Sequence, residues 1–300
     1  MIKKRFLTGD YVIFSPERLK RPKAICQQEK TDIEGNCPFC LSNRDMLTDY
    51  LYEIFNEEIR IVDNTYPIIK NKDDFFGIHQ VMIDTKEHKK KMEDFSDEHM
   101  FYLMKAIKES FEKFYKEKRL KYVQFFKNQG STAGATLVHS HWQILGISVL
   151  PEKQQKILQA FKKYKDKTGK CYLCDLNLEK YKIEENEHFI AFCPENSVFF
   201  FEINIIPKEH IVDFKVLDDE KLKELGKILR NSIKRLNILY NNLDYNICLF
   251  NALREEDFHH FFFQIIPRLG TMGGYELSTG MFVNSILPDN AVKIFKEIDI

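Results

Sequence analysis

Three groups of residues in this 300-residue chain are spaced so that they could do chemistry together. The first is a pair of Cys-x-x-Cys turns, Cys37 with Cys40 in CPFC and Cys171 with Cys174 in CYLC. Such a turn brings two sulfurs close enough to share one tetrahedral metal, with two further ligands still to be found. It can also be a redox pair, but that use usually opens a helix in a thioredoxin-like pattern, which the sequence does not show. The second group is His139, His141 and Gln143, in the run HSHWQ. The third is the small-residue stretch just before it, NQGSTAGAT at 128–136. Successive backbone N–H groups in a Gly/Ser/Thr loop make a nest suited to phosphate oxygens. A neutral imidazole is a good nucleophile at phosphorus, and a covalent intermediate splits one displacement into two. Held by a hydrogen bond at one nitrogen, the ring presents the other to a substrate. A phosphate leaving group departs without a strong acid, so backbone amides and Gln143 need chiefly to position and stabilise charge. The combination suggests nucleotidyl transfer through a phosphohistidine-type adduct.

The elements that must position these residues occur twice. HQVMIDTKEH at 79–88 and FEINIIPKEH at 201–210 are both apolar, strand-like runs ending in Lys-Glu-His, at His88 and His210. A helix follows each. In the first, Ser96 is a plausible N-cap, and Met100, Leu103, Met104, Ile107, Phe111 and Phe114 recur at helical spacing. In the second, Leu222, Leu225, Leu229, Ile233 and Leu236 make a similar stripe. Both stripes read as core packing. Each helix leads to a strand ending in Asn, at Asn128 and Asn251, and then to a second histidine run. His139-Ser-His-Trp-Gln143 aligns with His260-Phe-Phe-Phe-Gln264. Each half therefore offers two cysteines and two histidines: Cys37, Cys40, His88 and His139, then Cys171, Cys174, His210 and His260. Two structural zinc sites are expected, because four such ligands complete a tetrahedral shell.

The alignment isolates one residue. If 139–143 is a strand, His139, His141 and Gln143 share a face. The second half keeps the ligand and the glutamine but has Phe262 where the first has His141. The small-residue run is also absent there. Cradle and extra histidine go together, which points to a single active site around His141. Glycines alone could merely turn a loop, and His99, His188 and His259 read as half-buried structural histidines. Trp142, one residue off the His141 face, reads as packing. A further helix over 151–168, capped by Gly169, connects the halves, its charged face solvated.

Composition limits the alternatives. With 44% hydrophobic and 30% charged residues the chain is globular, and Lys plus Arg balance Asp plus Glu at 45 each. That balance gives no field to recruit nucleic acid or a membrane. No apolar run reaches the roughly 20 residues of a membrane span, and the amino terminus lacks the apolar segment of a signal peptide. A cytoplasmic location is expected, with reduced cysteines available to metal.

The motifs resemble those of the galactose-1-phosphate uridylyltransferase family, in the histidine-triad superfamily, and of the related ADP-glucose phosphorylases, over nearly the whole chain. SPERLKRP at 15–22 is similar to the family's amino-terminal motif, which implies that Arg18 and Arg21 lie at the nucleotide end. CPFC followed by Asn43 resembles the first zinc turn, and VDNTYP would put Asn64 near base and ribose. The resemblance implies His88 and His139 as zinc ligands, His141 as nucleophile and Gln143 as a phosphate ligand. It places Asn128, Gly134 and Thr136 around the phosphates, and Tyr275 and Glu276, in GGYELSTG, at the sugar. The implied fold is α+β: two tandem histidine-triad-like halves, each an antiparallel sheet with a packed helix. The halves are expected at 1–165 (catalytic) and 166–300 (second metal site and sugar segment). A homodimer is implied too.

The expected activity is UMP transfer between hexose-1-phosphates through His141, with a nucleotide sugar and a sugar-1-phosphate as partners. His-Ser-His in place of the uridylyltransferases' His-Pro-His, together with the second CYLC pair and HFFFQIIP, is nearer the ADP-glucose phosphorylase pattern. Adenylyl transfer to inorganic phosphate is therefore the alternative reading. A non-catalytic zinc protein is the third, and it leaves His141 and the cradle unexplained.

Overall fold

The computed structural model describes residues 1–16, 34–69, 75–251 and 258–300. In chain order the strands are β1 (Ile2–Lys4), β2 (Tyr11–Phe14), β3 (Tyr52–Ile54), β4 (Ile59–Asp63), β5 (Gly77–Ile83), β6 (Tyr122–Gln129) and β7 (His141–Ile147). They continue with β8 (Lys182–Glu185), β9 (Phe189–Phe192), β10 (Ile203–Pro207), β11 (Tyr245–Phe250), β12 (Phe262–Pro267) and β13 (Met281–Asn284). The helices are α1 (Asp97–Lys116), α2 (Glu152–Thr168), α3 (Asp219–Leu239), α4 (Gly274–Thr279) and α5 (Pro288–Lys296).

The fold is α+β, with two tandem antiparallel units, as the repeat predicts. Their strands form one ten-stranded sheet in the order β3-β4-β5-β7-β6-β11-β12-β10-β9-β8. The units meet where β6 pairs antiparallel with β11, Asn128 opposite Asn246. A small second sheet joins β1, β2 and β13, with β13 parallel to β2.

Both amphipathic helices bury the stripes read from the sequence. Met100, Leu103, Met104, Ile107 and Phe111 of α1 are fully buried, as are Leu222, Leu225, Leu229, Ile233 and Leu236 of α3. Ser96 caps α1 by accepting the His99 N–H, and Asp218 caps α3 by accepting that of Lys221. The two helices approach so closely that a Cβ on Gly226 would stand 3.0 Å from that of Met100. Trp142 and Ile144 join this core, so β7 turns its even-numbered side chains to the helices and leaves His141 and Gln143 on the opposite face. Helix α2 ends as expected, at Gly169 in the left-handed conformation with φ 74°.

One expectation shifts. β7 and β12 begin two residues later than the alternation suggested, at His141 and Phe262. His139 thus lies on a bend just before β7 and His260 in irregular backbone just before β12, and of the first trio it is His141 and Gln143 that share the strand face. The backbone at His139 serves other partners: its carbonyl holds the His141 ring, and its own ring reaches Thr85. No helix among the described residues is long and apolar enough to cross a membrane.

Candidate active site and metal centres

The four ligands of the first set converge although they come from three separate segments. Cys37 and Cys40 sit on a tight turn, His88 lies beyond β5 and His139 precedes β7. His139 Nδ1 lies 3.6 Å from both sulfurs, and His88 Nδ1 lies 3.3 Å from Cys40 Sγ. The second set repeats this arrangement. Cys171 and Cys174 stand 3.6 and 3.3 Å from His260 Nδ1, and Cys174 lies 3.6 Å from His210 Nδ1. These are the edges expected of a tetrahedron: with metal–sulfur near 2.3 Å and metal–nitrogen near 2.05 Å, sulfur and nitrogen stand about 3.5 Å apart. Within each set the ligand atoms all lie within 4.8 Å of one another. Both donor sets fit a structural metal ion.

The chemistry of the donors agrees. His139 is fully buried, and burial pushes its imidazole down to about 4, so that it is neutral and able to ligate. Its Nε2 lies 2.8 Å from the Thr85 carbonyl, which fixes the proton there and leaves Nδ1 for the metal. In the second set the hydrogen bond between the thiols pulls Cys171 well below the usual value and holds the proton on Cys174. A metal cation at this position would displace that proton and let both sulfurs bind as thiolates. Apolar side chains enclose the first set, among them Phe39, Val62, Val81 and Ile83. Cys174 and His210 of the second are exposed.

His141 stands at the head of β7, 7% exposed, with Phe39 edge-on at 5.1 Å. Its Nδ1 lies 2.8 Å from the carbonyl oxygen of His139. Nδ1 therefore donates, and in the neutral ring the lone pair sits on Nε2. The same residue that would ligate metal through its side chain thus orients the candidate nucleophile through its backbone. In the second half Phe262 takes this place and stacks on Phe250 at 4.5 Å, filling the position with carbon.

Gln143 follows on the same face, and Asn64 comes from the segment after β4. They meet at a residue the sequence reading passed over. His79 Nε2 lies 3.0 Å from Gln143 Oε1 and 3.3 Å from Asn64 Nδ2. Its spacing on β5, diagonal to Gln143 on the neighbouring strand, was the available signal, but it needed the β5–β7 register.

The small-residue run forms a compact loop after β6. Gly130 adopts φ 92° and Gly134 φ 87°, both in the region that favours glycine. Fewer amides than expected face outward. Gly134 N–H donates to Ser131, Ala135 N–H to Gly130, and Thr132 N–H to the Asp244 carboxylate at 2.8 Å. Residues of the second half fasten this loop. Besides Asp244, Asn246 Nδ2 donates to Ala133 O and Asn128 Oδ1, both at 2.8 Å, and Arg268 Nε donates to Thr132 O at 3.1 Å. Asn128 is thereby gathered to the cradle, while Gly134 and Thr136 are on its exposed side.

Tyr275 and Glu276 are placed apart from this group, on α4 beside the small sheet. Glu276 Oε2 accepts the Gly273 N–H at 3.0 Å, and the Tyr275 hydroxyl lies 3.5 Å from Met281 Sδ. Glu276 nevertheless lines a small cavity together with Arg268, the residue that reaches the cradle. Arg18 and Arg21 lie outside the described residues. Asn43 folds back on the first metal turn, donating to the Cys37 carbonyl at 2.9 Å.

Residues 17–150 match a family model described as the N-terminal domain of a domain of unknown function, DUF4931. The chain is 30% identical to the ADP-glucose phosphorylase of Arabidopsis thaliana, over 100% of this chain and 93% of that one. It is 26% identical to the galactose-1-phosphate uridylyltransferase of Thermotoga maritima, over 98% of this chain and 97% of that one. Among solved structures, an ADP-glucose phosphorylase from Arabidopsis thaliana with bound ADP-glucose matches with a TM-score of 0.90 at 30% identity, over 100% of this chain and 99% of that chain.

Proposed function

This chain belongs to the nucleotidylyltransferase family of the galactose-1-phosphate uridylyltransferases and ADP-glucose phosphorylases, and from that membership we propose that it moves a nucleoside monophosphate through a covalent adduct on His141. The observation that carries this reading is the 2.8 Å contact from His141 Nδ1 to the His139 carbonyl, which makes Nε2 the attacking atom. Nε2 attacks the α-phosphorus of a nucleotide sugar. A P–N bond forms, the bond to the bridging oxygen breaks, and the sugar phosphate leaves with the electron pair. The oxygen of an acceptor phosphate then attacks the same phosphorus and returns the electron pair to Nε2. Gln143 and the cradle hold the phosphate oxygens through both steps. Each metal set would hold zinc as a structural ion, its cysteines and histidines tying the Cys-x-x-Cys turn, the Lys-Glu-His end and the second histidine run together.

For the donor, an ADP-sugar with inorganic phosphate as acceptor is the first reading. The His-Ser-His run and the 30% full-length identity with an ADP-glucose phosphorylase support it. UMP transfer between hexose-1-phosphates is the second, supported by the Tyr275–Glu276 segment and the full-length match to a uridylyltransferase. Intact mass after brief incubation with ADP-glucose, and separately with UDP-glucose, decides between them. An adenylyl adduct absent from His141→Asn supports the first reading and a uridylyl adduct the second. Turnover retained by His141→Asn would remove His141 from the mechanism.

A further inference from the structure

His141 shares its face of the sheet with an asparagine from each half. β7, β6 and β11 are neighbours in the large sheet. Phe126 of β6 pairs with Gln143, so Asn128, two residues on, lies on the face that carries Gln143 and His141. Asn128 pairs in turn with Asn246 of β11, a strand of the second half. The seam between the halves therefore runs beside the cradle, and Asn246 reaches across it.

A chain of hydrogen bonds fixes which way both amides point. The Ala133 carbonyl can only accept, so the Asn246 group 2.8 Å from it is the NH2. That NH2 has a second hydrogen, and the Asn128 atom 2.8 Å from the same nitrogen is accordingly the oxygen. The Asn128 NH2 is left on the other branch, where it donates to no described residue. It lies toward the open side of the cradle. A Cβ on Gly134 would stand 3.8 Å from Asn128 Nδ2, Gly134 is exposed, and it has no side chain to cover that NH2. Asn128 itself is half-buried rather than enclosed. Turned the other way, the same amide would present its oxygen there. Phosphate oxygens accept hydrogen bonds and repel a carbonyl oxygen, so the direction of this amide decides whether the cradle gains a donor or an acceptor.

We propose that Asn246 is a positioning residue of the phosphate site, holding the Asn128 carboxamide with its NH2 toward the phosphates of a bound nucleotide. This deepens the reading of nucleotidyl transfer and rests on it for the identity of the ligand. A double-mutant cycle on Asn246→Leu and Asn128→Ala tests it in the full-length, zinc-loaded protein. Isothermal titration with ADP, and separately with UDP, gives the affinities of wild type, both single variants and the double variant. Intact mass after incubation with ADP-glucose or UDP-glucose follows the adduct in the same proteins. Each single variant should weaken binding of the tighter diphosphate about tenfold. With Asn128→Ala already present, Asn246→Leu should add less than about twofold, because its effect passes through Asn128. Should Asn246→Leu not fold, Asn246→Ala takes its place in the cycle. A residue that only kept the loop in shape, through Ala133, would weaken binding by the same factor in either background, and that result overturns the proposal. So does an Asn246→Leu affinity equal to that of wild type, or a wild type that binds neither diphosphate. Coupled affinities with no adduct in the wild type would keep this role for Asn246 and remove the transfer reading. Adducts on His141 without coupling would do the reverse.

Discussion

His79 Nδ1 accepts the Ile68 N–H at 3.1 Å, and its Nε2 meets Gln143 Oε1 at 3.0 Å. Because Nδ1 accepts, the proton of the neutral ring sits on Nε2 and is donated to Gln143. That fixes the glutamine carboxamide, with its NH2 on the branch away from His79, where a phosphate oxygen needs a donor. Burial lowers the His79 pKa and favours this neutral form. His79→Leu should therefore reduce kcat by about ten- to a hundredfold, the range for a misplaced binding group, with metal content and Tm little changed. His79→Gln, which can still donate to Gln143, should recover part of the loss. Equal kcat in wild type and His79→Leu would show that Gln143 needs no such support.

The two metal sets should differ in hold rather than in kind. Cys37 is fully buried, whereas Cys174 and His210 are exposed. Metal analysis should find two equivalents of zinc per chain, and a chelator should remove the second-half ion first. Cys37→Ser should lose one equivalent and lower Tm more than Cys174→Ser does, since metal affinity is also folding free energy. A wild type purified without metal would undo the reading of both sets.

The cradle has a point where one methyl group should matter. A Cβ on Gly130 would lie 1.7 Å from Asp244 Oδ1, and the residue's φ is 92°. Gly130→Ala must displace the carboxylate that holds both the N–H and the hydroxyl of Thr132. Backbone strain alone costs about 1–2 kcal/mol. We expect adduct formation to slow at least about tenfold, with a lower Tm. Adduct formation at the wild-type rate would mean that the Asp244 contact does not shape the cradle.

These cases separate what a sequence can disclose from what it cannot. The metal sets, His141, both helix stripes and the caps at Ser96 and Gly169 rest on short-range spacing or on comparison of one half with the other, and they are legible. Asp244, Asn246 and Arg268 reach the cradle from more than a hundred residues away, through a β6–β11 pairing that joins the halves. No local period encodes that pairing. His79 was hidden for a related reason, since its partner lies on a neighbouring strand. The late start of β7 was hidden as well, because alternation continues smoothly through His139 while the backbone there bends to serve the ring of His141.

Beneath β7 lies a buried ion pair. Lys127 Nζ stands 2.7 Å from Asp84 Oδ2, both side chains fully buried, and also donates to Ser140 Oγ at 2.6 Å and to the His141 carbonyl at 3.3 Å. Lys127→Met leaves a buried carboxylate without its partner, which should cost about 3–5 kcal/mol. Urea unfolding of the double variant Lys127→Met/Asp84→Leu should recover most of that loss. A single variant within about 1 kcal/mol of wild type would contradict burial of the charged pair.

Acid sensitivity should trace partly to His99. Its ring is 2% exposed, stacks on Phe95 at 3.9 Å and reaches the Asp84 carbonyl at 2.7 Å. Burial is the largest influence and lowers its pKa below the ordinary 6.5. The unfolded chain then binds a proton that the folded chain refuses, so stability rises with pH in this window. The contribution is complete above about 6.5, the unfolded value, and is lost as pH falls from there toward the folded pKa. Unfolding midpoints of the zinc-loaded protein should therefore be flat between about pH 7 and 8 and fall below about 6.5. In His99→Gln, whose side chain has no proton to gain, the fall should be shallower. Identical slopes in the two proteins would assign the acid loss to other groups, among them the metal ligands and the buried rings of His79 and His259.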